Sequence, residues 1–263
     1  MIYYARLLIR SAREWLRLEM GHYAAAFSYY APFALVPLIL ISLGISGYFY
    51  GLPFVKNMFV GWGTVFGSDL TALISVAVQN LDIQVHTYDI PVVAVVFFSL
   101  ISILAFNTLG LGFERIWGQR VVSIGAWLSQ SFRSVVFVLI LQIYILSLVS
   151  LEGLWALLQF ESRLLPMLIW FSSISAVFVI FYRFLVAGSP SWRGCLLGGA
   201  TAGLLFVFAK NIVTLYLAAK PVVTIFGAAG LILVLLVWVY VLAAIIYYGA
   251  IVAHEFDSQK KIV

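Results

Sequence analysis

Six stretches of this chain are apolar for long enough to cross a lipid bilayer, and nothing else in the sequence constrains the fold as much. They run at about Tyr23–Tyr50, Ile90–Phe113, Phe132–Leu158, Leu164–Val186, Gly194–Ala219 and Ile225–Ala253. A helix needs about 20 apolar residues to span the hydrocarbon core. Composition agrees: 64% of the 263 residues are hydrophobic and 10% charged, against about 25% charged in a soluble domain. The expected fold class is all-α, a polytopic membrane protein with six transmembrane helices.

Ahead of the first span, "MIYYARLLIRSAREWLRLEMGH" reads as an amphipathic helix. Arg6, Arg10, Arg13 and Arg17 fall on one stripe, with Tyr4, Leu8, Ala12 and Trp15 roughly opposite. Such a helix suits a membrane surface, its arginines towards anionic lipid headgroups. A solvated helix whose charges only set topology is the alternative. Between the first two spans, residues 51–89 include "DLTALISVAVQNL", apolar but too short to cross. An interfacial or re-entrant outer (periplasmic) helix fits that length. The expected organisation is residues 1–22 as surface helix, 23–253 as membrane domain with the outer segment 51–89, and 254–263 as cytoplasmic tail. The first residues do not read as a cleavable signal, because charged and apolar positions interleave.

Orientation follows from the basic residues of the connections, which concentrate on the cytoplasmic side. One set holds Arg6, Arg10, Arg13, Arg17, Arg115, Arg120, Arg133, Arg183, Arg193, Lys260 and Lys261. The other holds Lys56, Arg163 and Lys220 beside Asp69, Asp82, Asp89 and Glu161. Both termini are therefore expected in the cytoplasm.

Lys210 and Asn211 interrupt the fifth span. A charge facing lipid costs about 2.5–3.5 kcal/mol on insertion scales, so the ammonium is expected to face the bundle interior or a wet cavity. Lys210 follows Arg193, which puts it roughly 25 Å beyond the cytoplasmic end at 1.5 Å per residue. Glu152 lies at a similar depth, roughly 28 Å, on the third span. An ion pair needs those spans to be neighbours; a lysine snorkelling outward with no ligand is the alternative. Gly199 and Gly203 form a GxxxG step continued by Phe206, Lys210 and Thr214. Small-residue steps allow close helix approach, here to another span of the same chain or, alternatively, to a second copy in a homo-oligomer. Pro32 and Pro37 remove backbone donors in the first span near Ser28, Ser42 and Ser46, consistent either with a bent helix beside a cavity or with a simple kink.

Enzymatic chemistry finds little support. The single cysteine, Cys195, excludes an intramolecular disulfide and a CxxC site. The histidines are His22, His86 and His254, divided between membrane faces by the expected topology. The densest set, His254-Glu255-x-Asp257, reads as a solvated tail. No phosphate-binding glycine loop occurs. The expectation is no catalytic residue, no metal, no cofactor, no nucleic acid partner and no ribonuclease activity.

"AAAFSYYAPFALVPLILISLGISGYFYG" carries Ala24 to Ala26, Tyr29, Tyr30, Pro37 and Leu38. "FYRFLVAGSPSWRGCLLGGATAGLLFVFAKNIVTLYLA" carries Tyr182, Arg183, Phe184, Leu185, Trp192, Gly199, Ala200, Lys210 and Tyr216. "FGAAGLILVLLVWVYVLAAIIYYGAIVAHEF" carries Gly227, Gly230, Trp238, Tyr240, Gly249 and Glu255. Together these stretches resemble the YihY/BrkB family of bacterial inner-membrane proteins over nearly the whole chain. Two positions depart from its pattern, Glu114 in place of an asparagine and Val186 in place of a proline. The resemblance implies a multi-pass protein of the bacterial inner membrane; the family's labels, ribonuclease BN and virulence factor, supply no mechanism.

Two functions are carried forward. One is a transporter or flippase-like handler of an anionic lipid or other amphipathic envelope component, with membrane lipids as partners. The other is a non-transporting envelope scaffold. For transport, the expected substrate contacts are Lys210, Asn211, Thr214 and Glu152, joined by Tyr29 and Tyr30. Pro32, Pro37, Gly199, Gly203, Gly227 and Gly230 are the expected packing or hinge positions.

Overall fold

A computed structural model describes residues 2–51, 53, 54, 57, 92–118, 124–158, 164–186, 190–219 and 228–260. Among them lie seven helices: α1 (Ile2–Arg17), α2 (Met20–Tyr50), α3 (Val92–Trp117), α4 (Ile124–Leu158), α5 (Leu164–Leu185), α6 (Trp192–Ala219) and α7 (Ala228–Lys260). No strand occurs among the described residues. The stretches Leu128–Ser147, Trp192–Val213 and Ile232–Ser258 are each long and apolar enough to cross a membrane. The chain is an all-α membrane protein. Most of the expected outer segment 51–89 lies outside the described residues, as do Gly227 and the side chains of Pro37, Glu152 and Thr214.

Each apolar run forms a helix, but several ends fall elsewhere than the composition suggests. α4 begins at Ile124 rather than Phe132, and α7 continues past Ala253 to Lys260. The surface helix stops at Arg17 rather than His22. Glu19 takes the left-handed conformation, φ 56°, which a non-glycine residue adopts at a cost. Its amide donates to the Leu16 carbonyl at 3.1 Å, and its own carbonyl accepts from His22 N–H at 3.0 Å. This turn sends the fully buried Met20 into the bundle as the first residue of α2.

α1 meets the bundle through a side that the sequence did not single out. Leu7 and Ser11 are buried and Leu18 packs on the core, whereas Tyr4 and Leu8 are exposed. Tyr248 of α7 donates its hydroxyl to the Leu8 carbonyl at 2.9 Å. In a membrane protein an apolar side chain has two destinations, protein or lipid, so apolarity alone does not identify the docked face.

α6 is wedged between α5 and α7, and small residues make both contacts. A Cβ on Gly198 would run into the Gly249 carbonyl, and one on Gly249 would lie 2.8 Å from the Gly198 carbonyl oxygen. On the adjoining face, a Cβ on Gly199 would meet Val179, and one on Gly203 would meet the Ser175 hydroxyl. Lipid gives helices no hydrophobic reason to associate, so close backbone approach of this kind supplies much of the attraction.

The space above Gly249 is taken by Tyr182 of α5, fully buried, whose hydroxyl donates to the Ile246 carbonyl at 3.0 Å. Phe113 of α3 packs edge-on against Tyr182 at 6.2 Å and Tyr247 at 5.7 Å between centroids. The Tyr247 hydroxyl donates to the Leu109 carbonyl at 3.3 Å. α2, α3, α5, α6 and α7 are thus tied together at one end of the bundle, the end where α1 docks. We call it the base.

Replacing Gly249 by valine forces two backbones apart, and overpacking of this kind costs about 1–3 kcal/mol. Gly249→Val is expected to lower the thermal unfolding midpoint in detergent by several degrees. Gly125→Ala, where nothing lies within 4 Å, leaves it unchanged or slightly raised.

Candidate functional site

Two polar regions stand out in an otherwise apolar molecule. The first is the connection from α5 to α6 at the base. Arg183 donates to the Pro190 carbonyl at 3.1 Å and stacks its guanidinium over Trp192, 5.2 Å from the ring centroid. Ser191 caps α6: its hydroxyl oxygen accepts from Gly194 N–H at 3.0 Å, relieving one of the free amides at a helix start. Asp257 of α7 holds that cap, accepting from Ser191 N–H at 2.7 Å and from the Ser191 hydroxyl. His254 packs edge-on against Trp117 at 5.2 Å. Asp257 and His254, read from the sequence as a solvated tail, therefore have defined neighbours in the base. Among the described residues no group of three or more His, Cys, Asp or Glu side chains converges to hold a metal ion.

The second region is the seam between α5 and α6. Lys210 is half-buried. It follows Gly203 by seven residues, which returns it to within about 20° of the same azimuth. The face that packs on α5 through Gly199 and Gly203 therefore ends, towards the far end of α6, in an ammonium group. Phe206, between them, is buried against Phe178 at 6.4 Å. α5 carries Ser172, Ser173 and Ser175 close together, and of these Ser175 lies across the seam against Gly203. The Ser173 hydroxyl bonds Tyr144 of α4 at 2.6 Å. The Ser175 hydroxyl, buried against Gly203, has no hydrogen-bond partner among the described residues. Such a group costs about 1–3 kcal/mol when left unpaired.

The remaining expected site residues do not all gather there. Asn211 lies about 100° around α6 from Lys210; it is exposed and donates its amide to the Val207 carbonyl at 3.1 Å. It is satisfied by its own helix and faces outward with Phe208, Ile212 and Leu215. Tyr29 is exposed on α2, ring-to-ring with Tyr30 at 5.2 Å and Phe33 at 6.2 Å. α2 packs chiefly on α3 and α7, and α6 on α5 and α7, so the tyrosine pair and Lys210 stand on opposite sides of α7. α2 runs unbroken through Pro32 and Pro37, and the Ser28 hydroxyl donates to the Ala25 carbonyl at 2.8 Å. Gly230 is buried on α7.

Three serines in four residues of an apolar span are the sequence signal that could have marked Ser175. A third polar cluster joins α3 to α4. Asn107 donates to the Ser131 hydroxyl at 3.1 Å and accepts from Ser134 at 2.9 Å, while Gln130 sits buried against Gly110. Interhelical hydrogen bonds of this kind hold membrane helices together.

A helical membrane protein with a closely packed base and a cation in one seam is the class these features define. The chain belongs to the family described as Virulence factor BrkB, whose model matches residues 11–262. It is similar to the UPF0761 membrane protein of Pseudomonas aeruginosa strain LESB58, 25% identical over 254 residues, covering 90% of this chain and 59% of that one. A UPF0761 membrane protein of Idiomarina loihiensis is 27% identical over 106 residues, 39% of this chain and 37% of its own. The chain thus spans 59% of the length of the Pseudomonas relatives it matches. No solved structure matches it significantly.

If Asp257 holds the α6 cap, Asp257→Ala removes both acceptors from Ser191, and a loss of about 1 kcal/mol is expected at this exposed position. Asp257→Asn keeps one acceptor oxygen and loses less. Thermal unfolding of the two purified variants checks the order.

Proposed function

We propose that the chain is a multi-pass protein of the bacterial inner membrane, both termini cytoplasmic, that handles an anionic amphiphile in the manner of a transporter or flippase. The observation that carries this reading is the half-buried ammonium of Lys210 on the α5–α6 seam, in line with the unpaired Ser175 hydroxyl. An intramembrane cation requires an anionic or strongly accepting partner. A lipid phosphate or carboxylate meets three ammonium donors, and the exposed Phe208, Ile212 and Leu215 on the flank of α6 suit acyl chains. The concentration of arginine at the base supports a cytoplasmic base, and the aromatic group Tyr48, Phe49, Tyr50 and Phe54 at the far end of α2 fits a span end on either side. Aromatic side chains gather where a span leaves the membrane.

Lys210→Ala is expected to reduce movement of fluorescent phosphatidylglycerol across proteoliposomes by tenfold or more, with the unfolding midpoint unchanged and partial rescue by Lys210→Arg. In a scaffold that pairs Lys210 with Glu152 for packing alone, the same change leaves a carboxylate unpaired and costs about 3–5 kcal/mol. Lys210→Met with Glu152→Gln then restores stability, and that result removes the transport reading.

Orientation has its own test in a Cys195→Ser background, Cys195 being buried. A cysteine at Phe54 should react with an impermeant maleimide on intact cells, and one at Arg10 only after permeabilisation. The reverse pattern overturns the cytoplasmic base.

A further inference from the structure

The helix α1 has three faces where the sequence suggested two. At about 100° per residue, Leu7, Ser11 and Leu18 form the face docked on the bundle; the first two are 2% and 0% exposed. Arg6, Arg10, Arg13 and Arg17 form a second face, all exposed. Ala5, Leu8, Ile9, Ala12 and Leu16 form a third, apolar yet exposed, with Ile9 at 57% and Leu16 at 69%. Glu14 neutralises Arg17 through an ion pair, whereas Arg6, Arg10 and Arg13 have no such partner among the described residues.

We propose that these two free faces dock α1 onto the anionic phospholipid headgroups of the leaflet surrounding the base. The arginine face meets phosphodiester oxygens while the apolar face enters the acyl boundary beside it. Charge complementarity selects this occupant. Three unpaired guanidinium groups present planar donor forks that match phosphate oxygens, and the adjoining apolar stripe places them at headgroup depth. The row is preset rather than floating, because Leu7 and Ser11 are buried and Leu8 is held by Tyr248. Arg6 and Arg13 stand roughly 10 Å apart along the axis, so the row contacts neighbouring headgroups at once. The inference does not rest on the Lys210 reading, since it concerns a different surface.

The test uses the full chain in bilayer discs of phosphatidylcholine with and without phosphatidylglycerol. The lipids it retains are measured by native mass spectrometry. Three basic residues near an anionic surface give a preference on the order of a hundredfold, which salt should weaken. Arg6→Gln/Arg10→Gln/Arg13→Gln should abolish most of that preference while leaving the unfolding midpoint unchanged, and the corresponding lysine triple should keep part of it. Lys210→Ala, run in parallel, should leave this salt-sensitive component intact. A nitroxide on Ala12→Cys in the Cys195→Ser background should lie within the acyl boundary, and more shallowly in the glutamine triple. Inorganic phosphate at the same concentration should not displace the lipid. Equal retention by the native chain and the glutamine triple overturns the proposal. So does a nitroxide fully exposed to water, or a glutamine triple that instead falls from dimer to monomer, which would make a second copy the occupant.

Discussion

The contact on which the base depends is the approach of two backbones, α6 to α7 at Gly198 and Gly249. In water, burial of apolar surface would draw these helices together; in lipid the surroundings are as apolar as the helices, and attraction must come from closeness itself. With no Cβ at either position, carbonyl oxygens lie where side chains would otherwise stand. The gap left by Gly249 also admits the Tyr182 hydroxyl, which reaches the Ile246 carbonyl. From there the order of packing follows: Tyr182 positions Phe113, and Phe113 sits between Tyr182 and Tyr247. Tyr182, Arg183, Trp192 and Gly249, which carry part of the resemblance to the BrkB family, all belong to this construction.

Polarity is distributed unevenly over the molecule. At the base the hydrogen bonds of Ser191, Asp257, Arg183, Tyr182 and Tyr247 are made. Along the α5–α6 seam a hydroxyl is left over at Ser175 and an ammonium stands half-buried at Lys210. A buried polar group without a partner weakens the folded state. Buried atoms without a partner also occur at Ser11 and Trp15 in α1 and at Gln130 in α4, so the seam is set apart by its ammonium rather than by the leftover hydroxyl. Asn211 shows the contrast: one position along the same helix, its amide is satisfied by Val207 and it faces outward.

The helices were legible in the sequence because long apolar runs admit few other readings, and the GxxxG step at Gly199 was legible because its spacing is regular. Which helix each face meets was not. Gly194, Gly198 and Ala202 repeat at the same interval one residue away, yet they serve α7 while Gly199 and Gly203 serve α5. Spacing reports that a face is small, not what approaches it. In α1 the arginine stripe was plain, but the docked side was not, because it contains a serine and leaves out Leu8. Lys210 stood out as a charge in an apolar run; its neighbour Asn211 looked equivalent in sequence and differs only through helical azimuth. Ser175 and Asp257 were missed because serine in a span and acid near a terminus are ordinary in sequence and gain meaning only from the partner opposite.

The bond between Tyr248 and the Leu8 carbonyl joins residues 240 positions apart, and that distance is also a delay. The surface on which Leu7 and Ser11 are buried is completed by α7. Ribosomes add roughly 5–20 residues per second, so α1 emerges on the order of ten to fifty seconds before its docking partner exists. For that interval it is an amphipathic segment with two of its three sides unaffected by the wait, since arginine and exposed leucine need only a membrane. Its third side must be covered by whatever is at hand until the last helix arrives.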